Sequence, residues 1–347
     1  MEDTPKNEEN MSLDHAVGEP GSLVRESPPS AIEEAIVISP NSFHEKVLRK
    51  YKEWMISNSG EKQQIYRPPS FNGNWDSVPP EEYILHRLSI IGIPETVGAE
   101  DIGKILAKYR TEILTPERLS ILQDAYASLN KNLIQYGLSA GSFDPNRVVL
   151  VQEQRINEIA GQSRDRLAYT LKGEVGEILI PYDSEELNLE PNTLFDVIVH
   201  ELGHQVRQKN ALDIDASMVL EEGIIQAKAK EVEVATGRTS RRTNEVYTFE
   251  AQVATELATN LKVPSLFNLP HSKIKELMGI RYGIAGEVSN PYDDLIYDMI
   301  EYLKLFQSFQ TEIETTINIA DVRVKAMQEG LKARRQAFNK RWQFSME

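Results

Sequence analysis

With 347 residues and a mass of 39.4 kDa, the chain is long enough to bury a substantial core. Its 40% hydrophobic and 26% charged residues are the balance of a globular protein, not of a collagenous, repetitive or wholly disordered one. Lys and Arg number 38 against 53 Asp and Glu, a net charge of −15 that repels polyphosphate and argues against nucleic acid as a partner. Cysteine is absent, which excludes disulfides, thiol nucleophiles and thiolate metal sites, so any transition metal must be held by imidazole and carboxylate. The acidic start Met1-Glu2-Asp3-Thr4 has no apolar signal region, and the longest apolar stretches, such as 88–93, fall far short of a membrane span. A cytoplasmic chain without a membrane span is expected.

Residues 1–40 carry nine acids against Lys6 and Arg25 and no aromatic residue, a composition that cannot offset ordering entropy, so a disordered acidic leader is predicted there. A short helix from Ser42 places Phe43, Val47, Leu48, Tyr51 and Trp54 on one face, and a Pro/Gly/Asn-rich connector over 67–80 follows. Helical patterns then fill 80–138, with Ile102, Ile105, Leu106 and Tyr109 on one face and Leu119, Leu122, Tyr126, Leu129 and Leu133 on another. Thr115-Pro116 starts the second of these as N-cap and first helical residue. Residues 41–140 are read as a helical N-terminal subdomain.

After Pro145 the period becomes that of strands, over 148–151, 167–171 and 176–180, with Lys172-Gly173-Glu174 as a turn. Helices resume with Thr193 as N-cap and Asp196 three residues on, running through Gln208, and again over 215–236, closed by Gly237. Further helices are predicted over 246–261, 291–310 and 312–344, and no repeat of solenoid length is present. The pattern defines an α+β fold, mostly helical, with a central unit over 141–310. The last segment, 311–347, is a basic amphipathic helix: between Val322 and Met346 seven Lys or Arg face one acid, Glu329. It either packs on the body or docks on an acidic partner. The Arg238, Arg241 and Arg242 cluster reads as a solvated turn or a contact for acidic substrate.

Residues 200–204 read His200-Glu201-Leu202-Gly203-His204. On a helix, residues four apart share one face, so both imidazoles can hold one metal while Glu201 flanks the open coordination position. Leu194, Phe195, Ile198 and Val199 place this motif inside a buried amphipathic segment. A catalytic zinc takes a third protein ligand and keeps one position for water. A third histidine in the manner of the metzincins would stand at position 210 after a glycine at 207, but the chain has Arg207 and Asn210.

Further on, Leu220-Glu221-Glu222-Gly223 resembles the ligand-bearing element of the gluzincin peptidases, the class of thermolysin-like and aminopeptidase-N-like enzymes. The second helix of those enzymes donates a glutamate followed by glycine. The resemblance covers about residues 145–305 in outline, and seventeen residues separate His204 from Glu222, slightly fewer than is common in that class. It implies a zincin-like catalytic domain with a small sheet preceding the motif helix, Zn2+ as cofactor, a peptide or protein substrate, and His200, His204 and a glutamate as metal ligands. Register favours Glu222: one turn on is Gln226, whose amide oxygen can accept from the outer nitrogen of a ligand imidazole, whereas one turn past Glu221 is Ile225. Glu221, Asp213 and Asp215 are the alternatives.

A metal there lowers the pKa of its water while Glu201 takes the proton as general base and passes it to the leaving amine. The resemblance also implies a Tyr or His that holds the developing oxyanion; Tyr247, Tyr282, Tyr292 and His271 are the candidates, Tyr282 beside Gly283 being preferred. The run 176–180 is expected as the edge strand on which an extended peptide adds. Two rival readings are a non-catalytic interaction protein that keeps the zincin shell, and a zinc hydrolase acting on a non-peptide substrate.

Overall fold

The structure, a computed structural model, describes residues 40–57, 65–71, 77–93, 97–108, 115–141, 147–160, 169–170, 177–183, 191–213, 217–238, 247–283, 290–315 and 322–346. The acidic leader, the turn at 172–174, Asp215 and the Arg241-Arg242 pair lie outside these residues. The described chain is mostly helical with one small sheet, an α+β fold. Among the described residues no helix is long and apolar enough to cross a membrane.

Three helices come first, α1 (Pro40–Ser57), α2 (Pro80–Ile91) and α3 (Ala99–Lys108). The predicted stripe of α1 is buried at Val47, Leu48 and Tyr51, where it meets Tyr83, Leu85 and Leu88 of α2 and Ile102 of α3. The Tyr51 hydroxyl donates to the Ile93 carbonyl at 2.8 Å, which satisfies its one polar atom inside that core. Gly92 ends α2 in the left-handed region (φ 75°), a conformation glycine adopts without steric cost. The carbonyls that the helix end leaves without intrahelical donors are taken by a guanidinium: Arg155 donates to Ile90 O at 3.0 Å and to Ser89 O at 2.8 Å.

Helix α4 (Pro116–Leu133) begins as its sequence predicts, with the Thr115 side chain accepting from the Arg118 N–H. The sequence groups it with the N-terminal helices, but its buried residues Leu122, Tyr126, Leu129 and Leu133 join the main core around the histidine helix. Strand β1 (Val148–Val151) follows, then α5 (Glu153–Ala160), β2 (Tyr169–Thr170) and β3 (Ile178–Pro181). β1 runs parallel to β3 with Val148 opposite Ile178, and β2 runs antiparallel to β3 with Tyr169 opposite Leu179. The order β1-β3-β2 makes β3 the central strand, which corrects the expectation that 176–180 forms the free edge. The cause is local: Tyr169–Thr170, within the predicted strand segment, pairs along the other side of β3.

Side chains alternate across this sheet. Val148, Leu150, Ile178 and Ile180 face the main core, whereas Val149, Val151 and Leu179 meet Ile90 of α2 and Ile156 of α5. All are buried, which explains why these strands read as unbroken apolar runs. A buried polar link crosses the same interface: His86 of α2 places Nε2 at 2.8 and 2.9 Å from the two Glu177 oxygens and Nδ1 at 2.5 Å from the Tyr66 carbonyl. Arg87 Nη1 lies 3.7 Å from Glu177 as well, so this buried carboxylate faces two basic side chains of α2.

The rest is helical: α6 (Pro191–Lys209), α7 (Met218–Thr236), α8 (Thr248–Leu261), α9 (His271–Tyr282), α10 (Pro291–Thr315) and α11 (Val322–Trp342). α6 starts two residues before the predicted cap Thr193, and Asp196 is fully buried instead of supporting that cap. α7 closes at Gly237 (φ 67°), as its sequence predicts. The basic helix α11 packs on the body: Phe338, Trp342, Phe344 and Met346 enter the main core. Arg341 donates to Asp298 at 2.8 Å and to Asp294 at 2.9 Å, and the Trp342 indole donates to Asp298 at 3.0 Å.

Candidate metal centre

Two helices build the site, and two glycines let them meet. A Cβ on Gly203, inside the histidine motif, would stand 2.8 Å from Ile225 Cγ2 of α7. A Cβ on Gly223, which follows Glu222, would stand 2.3 Å from the Glu250 carbonyl oxygen of α8. Both motif glycines are therefore packing residues that bring α6, α7 and the start of α8 into close register.

At this junction His200 Nε2 lies 3.0 Å and His204 Nε2 3.3 Å from the same Glu222 oxygen, Oε2. Ligand atoms of all three residues fall within 4.8 Å of one another, and the group can hold a metal ion. The two rings meet edge to face with centroids 5.0 Å apart. Behind them the His200 Nδ1–H donates to Gln226 Oε1 at 2.8 Å, the contact expected from the spacing of Glu222 and Gln226. A proton fixed on Nδ1 leaves Nε2 for the metal, and two imidazoles with one carboxylate suit a late first-row ion.

Burial alone would lower the His200 pKa, but the hydrogen bond and charge of Glu222, with Glu201 and Asp196 adding, raise it to about 9. Burial pushes Glu222 upward, yet its bonds to His200 and His204 hold it well below the usual carboxylate range. Glu201, beside His200 in the chain and 9% exposed, is close enough for its charge to act on the His200 ring. Burial raises Glu250 as well, with the charge of Glu222 adding to the effect.

Glu221 points elsewhere. Its Oε1 accepts from Arg207 Nε at 2.6 Å, and its Oε2 is bound to His271 Nε2 at 2.7 Å. The other His271 nitrogen bonds the Tyr292 hydroxyl. Arg207, 0% exposed, also donates to the carbonyls of Phe267 at 2.5 Å and Leu212 at 3.0 Å. Arg207, Glu221, His271 and Tyr292 thus form a buried polar strut beside the His200, His204 and Glu222 group, and the Tyr292 hydroxyl is pushed up to about 12, chiefly by burial. Asp213, the other alternative ligand within the described residues, is not part of the group.

Of the four oxyanion candidates, only Tyr247 is brought to the histidines. Its ring stacks on His200 with centroids 5.6 Å apart and planes 10° from parallel. It does so from the left-handed region (φ 54°), a strained position for a tyrosine. The preference for Tyr282 is corrected. Its hydroxyl donates to the Trp342 carbonyl at 3.3 Å, which also accepts from Asn260 at 3.2 Å. Asn260 lies at the far end of α8 from Tyr247, and fourteen helical residues span about 20 Å. His271 and Tyr292 are held in the strut.

Asp196, which its sequence position assigns to the Thr193 cap, is the one acid in the apolar run 194–199 and stands one turn before His200. An acid in the middle of a buried run was the available signal. Burial, reinforced by Glu233, raises its pKa to about 7 against the opposing effects of His200, Lys230 and Gln226. Comparison of the chain with protein families, curated proteins and solved structures finds no match.

Proposed function

We propose that the protein is a zinc-dependent peptidase of gluzincin type, with His200, His204 and Glu222 as metal ligands and Glu201 as general base. The observation that carries this reading is the convergence of three ligand atoms from α6 and α7 on one point, with the His200 tautomer fixed from behind by Gln226. Bound there, a zinc ion supplies Lewis acidity to a carbonyl and acidifies water to near neutrality. The Glu201 carboxylate takes a proton from the attacking water as its oxygen bonds the carbonyl carbon. It then delivers that proton to the nitrogen as the C–N bond breaks. Tyr247, 37% exposed with its ring stacked on His200, is the side chain assigned to donate to the oxygen that gains charge.

The test is elemental analysis together with cleavage of casein and a peptide library by the wild type and Glu201→Gln. About one zinc per chain is expected in both proteins, with cleavage lowered in the variant by about 100-fold or more, the range of a lost general base. Absence of zinc from the reconstituted wild type, or full activity in the variant, would overturn the proposal.

A further inference from the structure

Asp196 and Gln226 are two buried polar groups that each lack what the other offers. Asp196 is 0% exposed, yet neither carboxylate oxygen has a hydrogen-bond partner of ordinary geometry, and Gln226 Nε2, in a side chain 2% exposed, has none either. Asp196 stands one helical turn before His200, on the face of α6 where His200 meets Gln226. The amide nitrogen is the only donor in its side chain. A buried donor or acceptor left unpaired is costly, and a hydrogen bond from Nε2–H to the Asp196 carboxylate would give each side chain a partner.

We infer that Asp196 is a positioning residue for the metal centre, acting through Gln226 on His200. The argument rests on the metal-centre reading and runs through the two ends of one amide. With Nε2 on Asp196, Gln226 turns Oε1 to His200 Nδ1 at 2.8 Å, which keeps the ring proton on Nδ1 and the Nε2 lone pair toward Glu222. If the amide turned over, its nitrogen would face Nδ1, which would then have to accept, and the ring proton would move to the nitrogen that must bind metal. The carboxylate selects the amide orientation, the amide selects the tautomer, and the tautomer decides whether His200 is a ligand.

This chain of dependence is separable by a double-mutant cycle read as Co2+ affinity and as the visible spectrum of the Co2+ form, on the full chain. Asp196→Ala is expected to weaken Co2+ binding at least about tenfold, the range for loss of an outer-sphere partner of a ligand histidine. Asp196→Asn keeps an oxygen that accepts from the amide, so it should stay within about threefold of wild type; it also serves if the alanine variant does not fold. In a Gln226→Glu background either oxygen can accept from Nδ1, the orientation no longer matters, and adding Asp196→Ala should cause no further loss. Equal losses in the two backgrounds, equal losses from Asn and Ala, or an unchanged affinity in Asp196→Ala would overturn the inference while leaving the metal centre in place. A wild-type chain that binds no Co2+ would instead overturn the metal-centre reading and this inference with it.

Discussion

Replacing Glu222 by alanine is expected to remove the metal and leave the fold, whereas replacing its neighbour Glu221 is expected to remove the fold's support and spare the ligands. Glu222 offers its Oε2 to His200 and His204 at the site's mouth, so its loss deletes one of three ligand atoms. Metal affinity should fall by more than about 100-fold, beyond the range of outer-sphere substitutions. Glu221→Ala instead leaves Arg207 and His271, both 0% exposed, without their shared carboxylate. An uncompensated buried charge costs about 3–5 kcal/mol, a large part of the stability of an ordinary domain. Metal content and urea denaturation of the two variants separate the outcomes. A Glu221→Ala protein of normal stability without metal would reverse the assignment.

The second large effect is expected at Gly223. A Cβ there would lie 2.3 Å from the oxygen and 2.6 Å from the carbon of the Glu250 carbonyl, backbone atoms that no rotamer change can move. α8 must withdraw, and with it move Glu250 and Tyr247, the residue that precedes the helix. Gly223→Ala is therefore expected to destabilise by at least about 3 kcal/mol, at the upper end of overpacking substitutions. Gly203→Ala meets a side-chain methyl, Ile225 Cγ2 at 2.8 Å, which yields by a small shift of one residue and not of a backbone segment, so about 1–2 kcal/mol is expected. Denaturant melts of the two variants would contradict this account if Gly203→Ala were the more damaging.

What could be read from the sequence was what depends on helical period. The spacing of His200 and His204, the turn from Glu222 to Gln226, the Thr115 cap and the Gly237 stop are all local, and each is present in the structure. Contacts made across the chain were not accessible in that way. Whether 176–180 was an edge depended on where 167–171 paired, and Leu179 has Tyr169 beside it. Tyr282 and Tyr247 are equivalent as sequence; the ends of α8 at which they stand are decided by how α8, α9 and α11 dock. Likewise, α4 carried an amphipathic stripe that fits any core, and the stripe alone did not say that it would pack on the histidine helix.

Helix α6 is buried on nearly every side, from Thr193 through Gly203 and again at Val206 and Arg207, with Asp196 hidden among its apolar residues. A segment enclosed in this way can expose its amides to solvent only when the whole fold opens, so its deuterium uptake should track global unfolding and not local fraying. The two imidazoles ride on that slowest-opening part of the protein. A metal held there would be linked to fold stability: an ion at a hundred times its dissociation constant adds about 2.7 kcal/mol against unfolding. A chelator should accelerate exchange along α6 as surely as it empties the site.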